Sequence, residues 1–360
     1  MFQRFEKAVG EPKKFVTLNY YSQLQHLNLL KAYMRSLLFG IILFVMMAPA
    51  AFSQQDPQYT MYMFDRFALN PAYAGALEAT NVTLHGRSQW VGIPGAPNTM
   101  IASINGYSRK LHGGLGAFIV ADELGPLTTF GVKGAYSFHL NFNDKAKLNI
   151  GVQGGIYQKT LDGDWQYNLD QGPDPSLPLG GTSFILPDID AGIYFHVPLK
   201  GTTSTAYPQD AFYIGGSVSH LLEPSIEDLL AVEDQVASVL PRNIHATVGG
   251  TIKLDESIFL QPSGSFRMAG PTMQWDVTAN LYVSPMVFGL SYRNADSFSG
   301  ILGFNASTYL FMGYSYDYTV SNLGSFTTGS HEIILSYTFP SKFKNLPPRK
   351  GTRTNYTNEI

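Results

Sequence analysis

Residues 273–283 alternate with a period of two. Met273, Trp275, Val277, Ala279, Leu281 and Val283 share one face, and Gln274, Asp276, Thr278, Asn280 and Tyr282 share the other. The pattern recurs over 148–156, 189–197 and 244–252, and period two is the side-chain repeat of a strand. Downstream of residue 53 no apolar run reaches the ~18 residues that suggest a spanning helix. If the chain enters a membrane there, it must do so as a closed barrel, because open sheet edges are not tolerated in lipid.

The two faces differ in chemistry. Asp190, Asp276 and His245 all fall on the polar face. A Lys or Arg facing lipid costs roughly 2–4 kcal/mol at mid-bilayer, so the polar face is expected to line a lumen. A soluble two-sheet sandwich would alternate similarly with its apolar face inward. Composition favours the membrane version: charged residues are only 14%, with 35 Gly, 21 Tyr and 24 Phe, against about 25% charged in ordinary domains. The 360 residues contain no Cys, which excludes a disulfide framework and thiolate metal sites.

Counting such runs predicts an all-β transmembrane outer-membrane β-barrel of about fourteen antiparallel strands, even-numbered as in bacterial single-chain barrels. The expected strands are 80–90, 98–108, 114–122, 127–141, 146–160, 184–199, 210–221, 242–254, 257–268, 272–284, 286–294, 297–304, 309–320 and 330–340. With both ends periplasmic, the periplasmic connections are mostly short (200–209 is longer), and the three longest, 161–183, 222–241 and 321–329, are external. Residues 225–240 read as a short amphipathic helix in one of these loops.

Residues 1–53 read as targeting sequence. Lys31 and Arg35 flank an apolar run over 37–52, and Ala51-Phe52-Ser53 is a small-x-small cleavage site. Met34 is the expected start, with a mis-called extension upstream, and cleavage is expected after Ser53. An uncleaved anchor is the alternative, but the run is short of the ~20 residues a span needs. Without residues 1–53, 18 basic and 25 acidic residues remain, a net charge of about −7, which argues against nucleic-acid binding. Residues 54–78 form a periplasmic or lumenal leader, 79–340 the barrel, and 341–360 a basic periplasmic tail.

No HExxH, GxSxG, P-loop or CxxC is present, so no enzyme, cofactor or metal site is expected. Gly113 to Gly116 opens a strand, not a helix, and reads as tight packing. His85, His139, His196, His220 and His245 lie within expected strands, mostly as lone residues on polar faces. Asp188 and Asp190 read as lumen lining. The loop 161–175 begins like a calcium loop, Asp162-x-Asp164, but lacks the later ligands. Its Trp165, Tyr167 and Asp170, with Trp90, are candidate partner-binding residues, since aromatics are enriched at binding hot spots. Alternatively the loop folds over the barrel mouth, and Trp90 belongs to an interface girdle.

An ordered series of short motifs follows the targeting segment: Gln55-Asp56-Pro57-Gln58-Tyr59, Tyr62-Met63, Asn70-Pro71-Ala72-Tyr73-Ala74-Gly75, Arg87-Ser88-Gln89-Trp90-Val91-Gly92 and Gly95-Ala96-Pro97, then Gly113 to Gly116, Asp122 and Gly125-Pro126. The series resembles the PorP/SprF family of type IX secretion system membrane proteins of Bacteroidota, most densely over 55–140. The resemblance implies an outer-membrane component supporting secretion and surface attachment of cargo proteins, some of them in gliding motility. It also implies partners among the secretion machine components and the C-terminal domains of secreted cargo, beside the lipid bilayer. The motif residues Asp56, Pro57, Gln58, Tyr62, Asn70, Pro71, Ala72, Tyr73, Gly75, Arg87, Ser88, Gln89, Trp90, Gly92 and Pro97 are expected to be structural. Asn70-Pro71 initiates a turn, and Ala72, Ala74 and Gly75 permit close backbone approach. Residues 55–75 are expected to tuck into the lumen or brace the periplasmic mouth, with an ordered leader free of partners as the alternative. A transport barrel for small apolar solutes is the runner-up function.

Overall fold

The computed structural model describes residues 56–142, 146–162, 181–199, 208–223, 240–270 and 272–339. The expectations for the targeting segment, for Trp165, Tyr167 and Asp170, for the helix at 225–240 and for the basic tail lie largely or wholly outside these residues.

Fourteen antiparallel wall strands follow one another around a ring. They are β1 (Thr80–Ser88), β2 (Asn98–Ser108), β3 (Gly113–Leu124), β4 (Leu127–Phe142), β5 (Ala146–Leu161), β6 (Thr182–Pro198), β7 (Asp210–Ser219), β8 (Asn243–Gly250, continued by Ile252–Lys253), β9 (Ile258–Ala269), β10 (Thr272–Val283), β11 (Met286–Arg293), β12 (Ser297–Asn305), β13 (Leu310–Thr319) and β14 (Ser330–Phe339). β14 returns to β1 in the register Thr80↔Phe339 to Ser88↔His331, which closes the barrel. Among the described residues no helix is long and apolar enough to cross a membrane; the strands form the wall.

The buried face is the polar one. On β1, Asn81, Thr83, His85 and Arg87 point inward while Leu84 is half exposed. On β11, Leu290 is 74% exposed and Arg293 only 2%. Alternation therefore sorts charge into the lumen and Leu, Ile, Val and Phe onto the outer surface, as a bilayer demands.

Three strand expectations need correction, each for a local backbone reason. The strand expected over 80–90 stops at Ser88, because Trp90 takes a left-handed φ of 50°. The strand expected over 210–221 stops at Ser219, and His220, at φ 59°, turns out of it. The strand expected over 242–254 breaks at Thr251, after Gly250, which the register places across from Pro262. Proline offers no N–H to the ladder, so Gly250 loses a donor on that side, while on the other side Thr251 continues the β7 ladder by donating its N–H to Ala211 O at 3.0 Å.

Residues 56–79 run through the ring ahead of β1. They fold as three short 3-10 turns, Tyr62–Phe64, Arg66–Ala68 and Pro71–Tyr73. Asn70 caps the third turn, its Oδ1 accepting from Ala72 N at 2.9 Å. Met61, Tyr62, Phe67, Ala72 and Ala74 are buried at 2% exposure or less. Asp56 lies at the end of the barrel bearing the longer loops. Glu78 pairs with Lys147 near the opposite, short-turn end.

Candidate functional site

Three polar clusters clamp this leader to the inner wall. The first grips it at Thr60 and Met61. The backbone N–H groups of Thr60 and Met61 donate to Glu332 Oε2 and Oε1 at 2.8 and 2.7 Å. Arg87 donates to Glu332 at 2.7 Å and to Asp317 at 2.7 Å, and His85 lies 2.7 Å from Glu332. Arg293 donates to Asp276 at 2.7 Å and to Thr60 Oγ1 at 3.2 Å. One carboxylate thus meets two backbone donors, an Arg and a His, which satisfies groups that burial alone would leave costly.

The second cluster holds the leader nearer the short-turn end. Arg66 Nη1 donates to Asp210 Oδ2 at 2.6 Å and to Tyr194 OH at 2.8 Å, and the guanidinium sits 3.9 Å from the Tyr213 ring centre. His196 Nδ1 approaches the other Asp210 oxygen at 2.8 Å.

The third cluster holds Asp56 at the long-loop end. His220 Nε2 lies 3.0 Å from Asp56 Oδ1, and its Nδ1 lies 2.9 Å from Asp188 Oδ2. Burial alone would lower the His220 pKa, but Asp56 and Asp188 outweigh it and push it up to about 10. Burial would raise the Asp56 carboxyl, yet its His220 partner holds it well below the usual carboxylate range. Asp188, Asp190 and His220 place ligand atoms within 4.8 Å of one another, the spacing of a cation site. Lys133 Nζ takes the cation's place, 2.5 Å from Asp188 and 2.6 Å from Asp190.

A band of wall glycines lets the leader lie flat on the sheet. A Cβ on Gly114 of β3 would sit 2.0 Å from Ala74 O, and one on Gly151 of β5 would sit 2.3 Å from Ala72 N. On β6, a Cβ on Gly192 would meet Asn70 Oδ1 at 2.2 Å. Gly75 itself adopts φ +71°, which glycine reaches without strain.

Motif residues far apart in sequence meet here. The Asp56 and Pro57 carbonyls face Arg267 at 3.4 and 3.3 Å. Tyr62 OH donates to Ser263 at 3.1 Å, and Asn70 Nδ2 donates to Ile193 O at 2.9 Å. Tyr73 stacks edge-on against Tyr194 at 5.3 Å, and Gly75 N donates to Asn105 at 3.2 Å. Arg87, which opens the fourth motif block, reaches Thr60, which lies between the first and the second. Gln89 N donates to Pro97 O at 2.9 Å, and Trp90 N donates to Ser330 Oγ at 3.0 Å. These turn contacts make Gln89, Trp90 and Pro97 a brace between the β1–β2 and β13–β14 loops. Glu332, Asp317, Asp210, Lys133 and Arg66 were not singled out from sequence. Their shared signal is charge on the polar face of a strand, or within the leader. The expectation of lone histidines is corrected, since His85, His196 and His220 each pair with a buried carboxylate.

Between the leader and strands β3 to β8 a cavity of about 100 Å³ remains, with Phe118, Asp122, Tyr157, Lys159 and His245 in its lining. It is well short of the roughly 300 Å³ at which ligand pockets begin.

The family described as type IX secretion system membrane protein PorP/SprF matches residues 51–337. The chain belongs to this family. As a PorP/SprF protein it is a membrane component of type IX secretion, a barrel of the outer-membrane kind and of no known enzyme class. The family associates it with the secretion machinery. No curated relative matches. Among solved structures, the toluene transporter TbuX of Ralstonia pickettii is similar at 10% identity and TM-score 0.42, over 77% of this chain and 92% of that one. The CymD monoaromatic hydrocarbon channel is similar at 11% identity and TM-score 0.40, over 80% and 95%. A Pseudomonas aeruginosa FadL homologue is similar at 14% identity and TM-score 0.32, over 82% and 96%. At these values the likeness carries no argument about what PorP/SprF barrels carry or bind.

Proposed function

We propose that this PorP/SprF protein is a non-catalytic platform in the outer membrane that supports secretion and surface attachment of cargo proteins, gliding-motility adhesins among the candidates. The long-loop end faces outward and holds a cargo C-terminal domain by non-covalent contact, and the short-turn end meets the machine on the periplasmic side. The observation that carries this reading is the leader clamped inside the lumen by ion pairs from Arg66 and Asp56 and by backbone hydrogen bonds to Glu332. A lumen filled in this way suits a fixed anchor better than a conduit. The alternative, passage of small apolar solutes, has to contend with a lumen lined by Arg, Lys, Asp and Glu.

The test is recovery of the processed barrel from outer membranes in detergent, with bound proteins identified by mass spectrometry. Secreted proteins sharing one C-terminal domain, or periplasmic machine subunits, are the expected companions. A barrel that returns folded and alone, and takes up apolar solutes without dependence on cargo, overturns the platform reading.

A further inference from the structure

We propose that the amino end of the processed chain stands at the long-loop mouth of the barrel, on the opposite side of the membrane from the mouth where the wall begins and ends. Strand parity alone puts both ends of the wall at the short-turn mouth, where Thr80 opens β1 and pairs with Phe339, the last residue of β14. The leader changes this for the amino end. Traced back from Thr80, its contacts fix the level of each part. Glu78 pairs with Lys147 beside the β4–β5 turn, and Ala74 O lies 2.9 Å from His139 Nε2 near the end of β4. Arg66 still reaches Asp210, the first residue of β7, at the same short-turn mouth. From there the chain climbs. Thr60 and Met61 bond to Glu332 near the start of β14, and Thr60 Oγ1 donates to Asp317 near the end of β13. Asp56 meets His220, which follows directly on the last residue of β7.

Burial falls off toward the long-loop mouth. Thr60 and Met61 are buried, whereas the Asp56 side chain is 30% exposed. This end is also pinned. His220 holds the Asp56 carboxylate, Arg267 donates to the Asp56 and Pro57 carbonyls, and Glu332 accepts from the backbone of Thr60 and Met61.

Reach completes the case. With cleavage after Ser53, two residues precede Asp56, a span of roughly 7 Å at about 3.5 Å per extended residue. The hydrocarbon layer that the wall crosses is about 30 Å thick. Two residues cannot lead back across it. The new amino group is therefore open to ligands from the long-loop side and not to those at the short-turn mouth. A chain still held in the inner membrane by its targeting segment could not bring Asp56 to His220, so processing precedes the closing of this clamp. That the long-loop mouth is the outer face of the cell rests on the platform reading; the placement of the amino end at that mouth does not.

The test uses the absence of Cys from the chain, which makes a single introduced cysteine report its own side of the membrane. Gln55→Cys is compared with two exposed reference sites, Asn322→Cys in the β13–β14 connection and Lys110→Cys in the β2–β3 turn. Each full-length variant is expressed in cells and treated with a maleimide carried on a polymer too bulky to cross the outer membrane, and its folding is checked by mobility in unheated detergent. Gln55→Cys and Asn322→Cys are expected to be labelled on intact cells, and Lys110→Cys only once the outer membrane is opened. Labelling of Gln55→Cys in step with Lys110→Cys overturns the proposal, as does an intact mass showing residues 1–53 still attached to the folded barrel. If position 55 is shielded in both states, a flexible epitope inserted between Gln54 and Gln55 takes its place. Antibody binding in step with Asn322→Cys then supports the proposal, and binding in step with Lys110→Cys overturns it. Should the two references exchange sides, the platform reading falls, and the amino end is still judged by the reference it follows.

Discussion

Glu332 and Arg87 show how single residues hold the leader. Both are buried, and they pair with each other at 2.7 Å. Arg87→Ala leaves Glu332 and Asp317 as buried carboxylates short of a cation. Breaking such a pair costs about 3–5 kcal/mol, so the urea midpoint of the detergent-solubilised barrel is expected to fall markedly. Glycine acts by absence. Gly114→Val places a side chain where Ala74 O sits and is expected to lift the leader off the wall, read as faster protease cleavage within 66–79. Gly134→Ala, with nothing within 4 Å of its new methyl, is expected to leave cleavage unchanged. The Asp56–His220 link depends on pH. His220 is raised from 6.5 to about 10, so its contribution is full below pH 6.5 and is lost as pH climbs through 10. Asp56 is depressed from 3.8, so its contribution is full above pH 3.8 and is lost in stronger acid. The protection factor of amides at the leader's Asp56 end, with the intrinsic pH dependence of exchange divided out, is therefore expected to be greatest between about pH 4 and 6.5 and to fall toward pH 10; a protection factor that stays flat over that rise would refute the link.

The leader is the element expected to decide whether the barrel conducts. It contributes Arg66, Thr60, Met61 and Asp56 to three separate clusters, so releasing it requires breaking all of them. The intact barrel in a planar bilayer is expected to be electrically silent. Deletion of 56–70 is expected to produce steady conductance, provided that the deleted barrel still inserts and resists unfolding in unheated detergent. Equal conductance with and without the deletion would show that the leader is not the barrier. The strand pattern was legible in the alternation because each strand must sort its own side chains between lipid and lumen. Strand ends were less legible. Trp90 and His220 leave their strands through positive φ, and Thr251 through a proline on the neighbouring strand; such features belong to backbone geometry or to a neighbour rather than to local pattern.

At the scale of the whole molecule, family and fold agree that this is a membrane barrel of type IX secretion. The sequence by itself determined the closed all-β wall, its even strand number and the inward placement of charge. Each follows from a local rule: side chains alternate, lipid rejects charge, and backbone groups in lipid must pair. The ordered motifs over 55–97 also carried the family. Only the tertiary structure decided which charges meet. Thr60 finds Glu332 across 272 residues and Arg66 finds Asp210 across 144, pairings that no spacing encodes. Only the ring, once closed, aligned the glycines of β3, β5 and β6 into a bed for the leader. Those outcomes depend on register between strands, a property of neighbours in space that one strand's sequence does not contain.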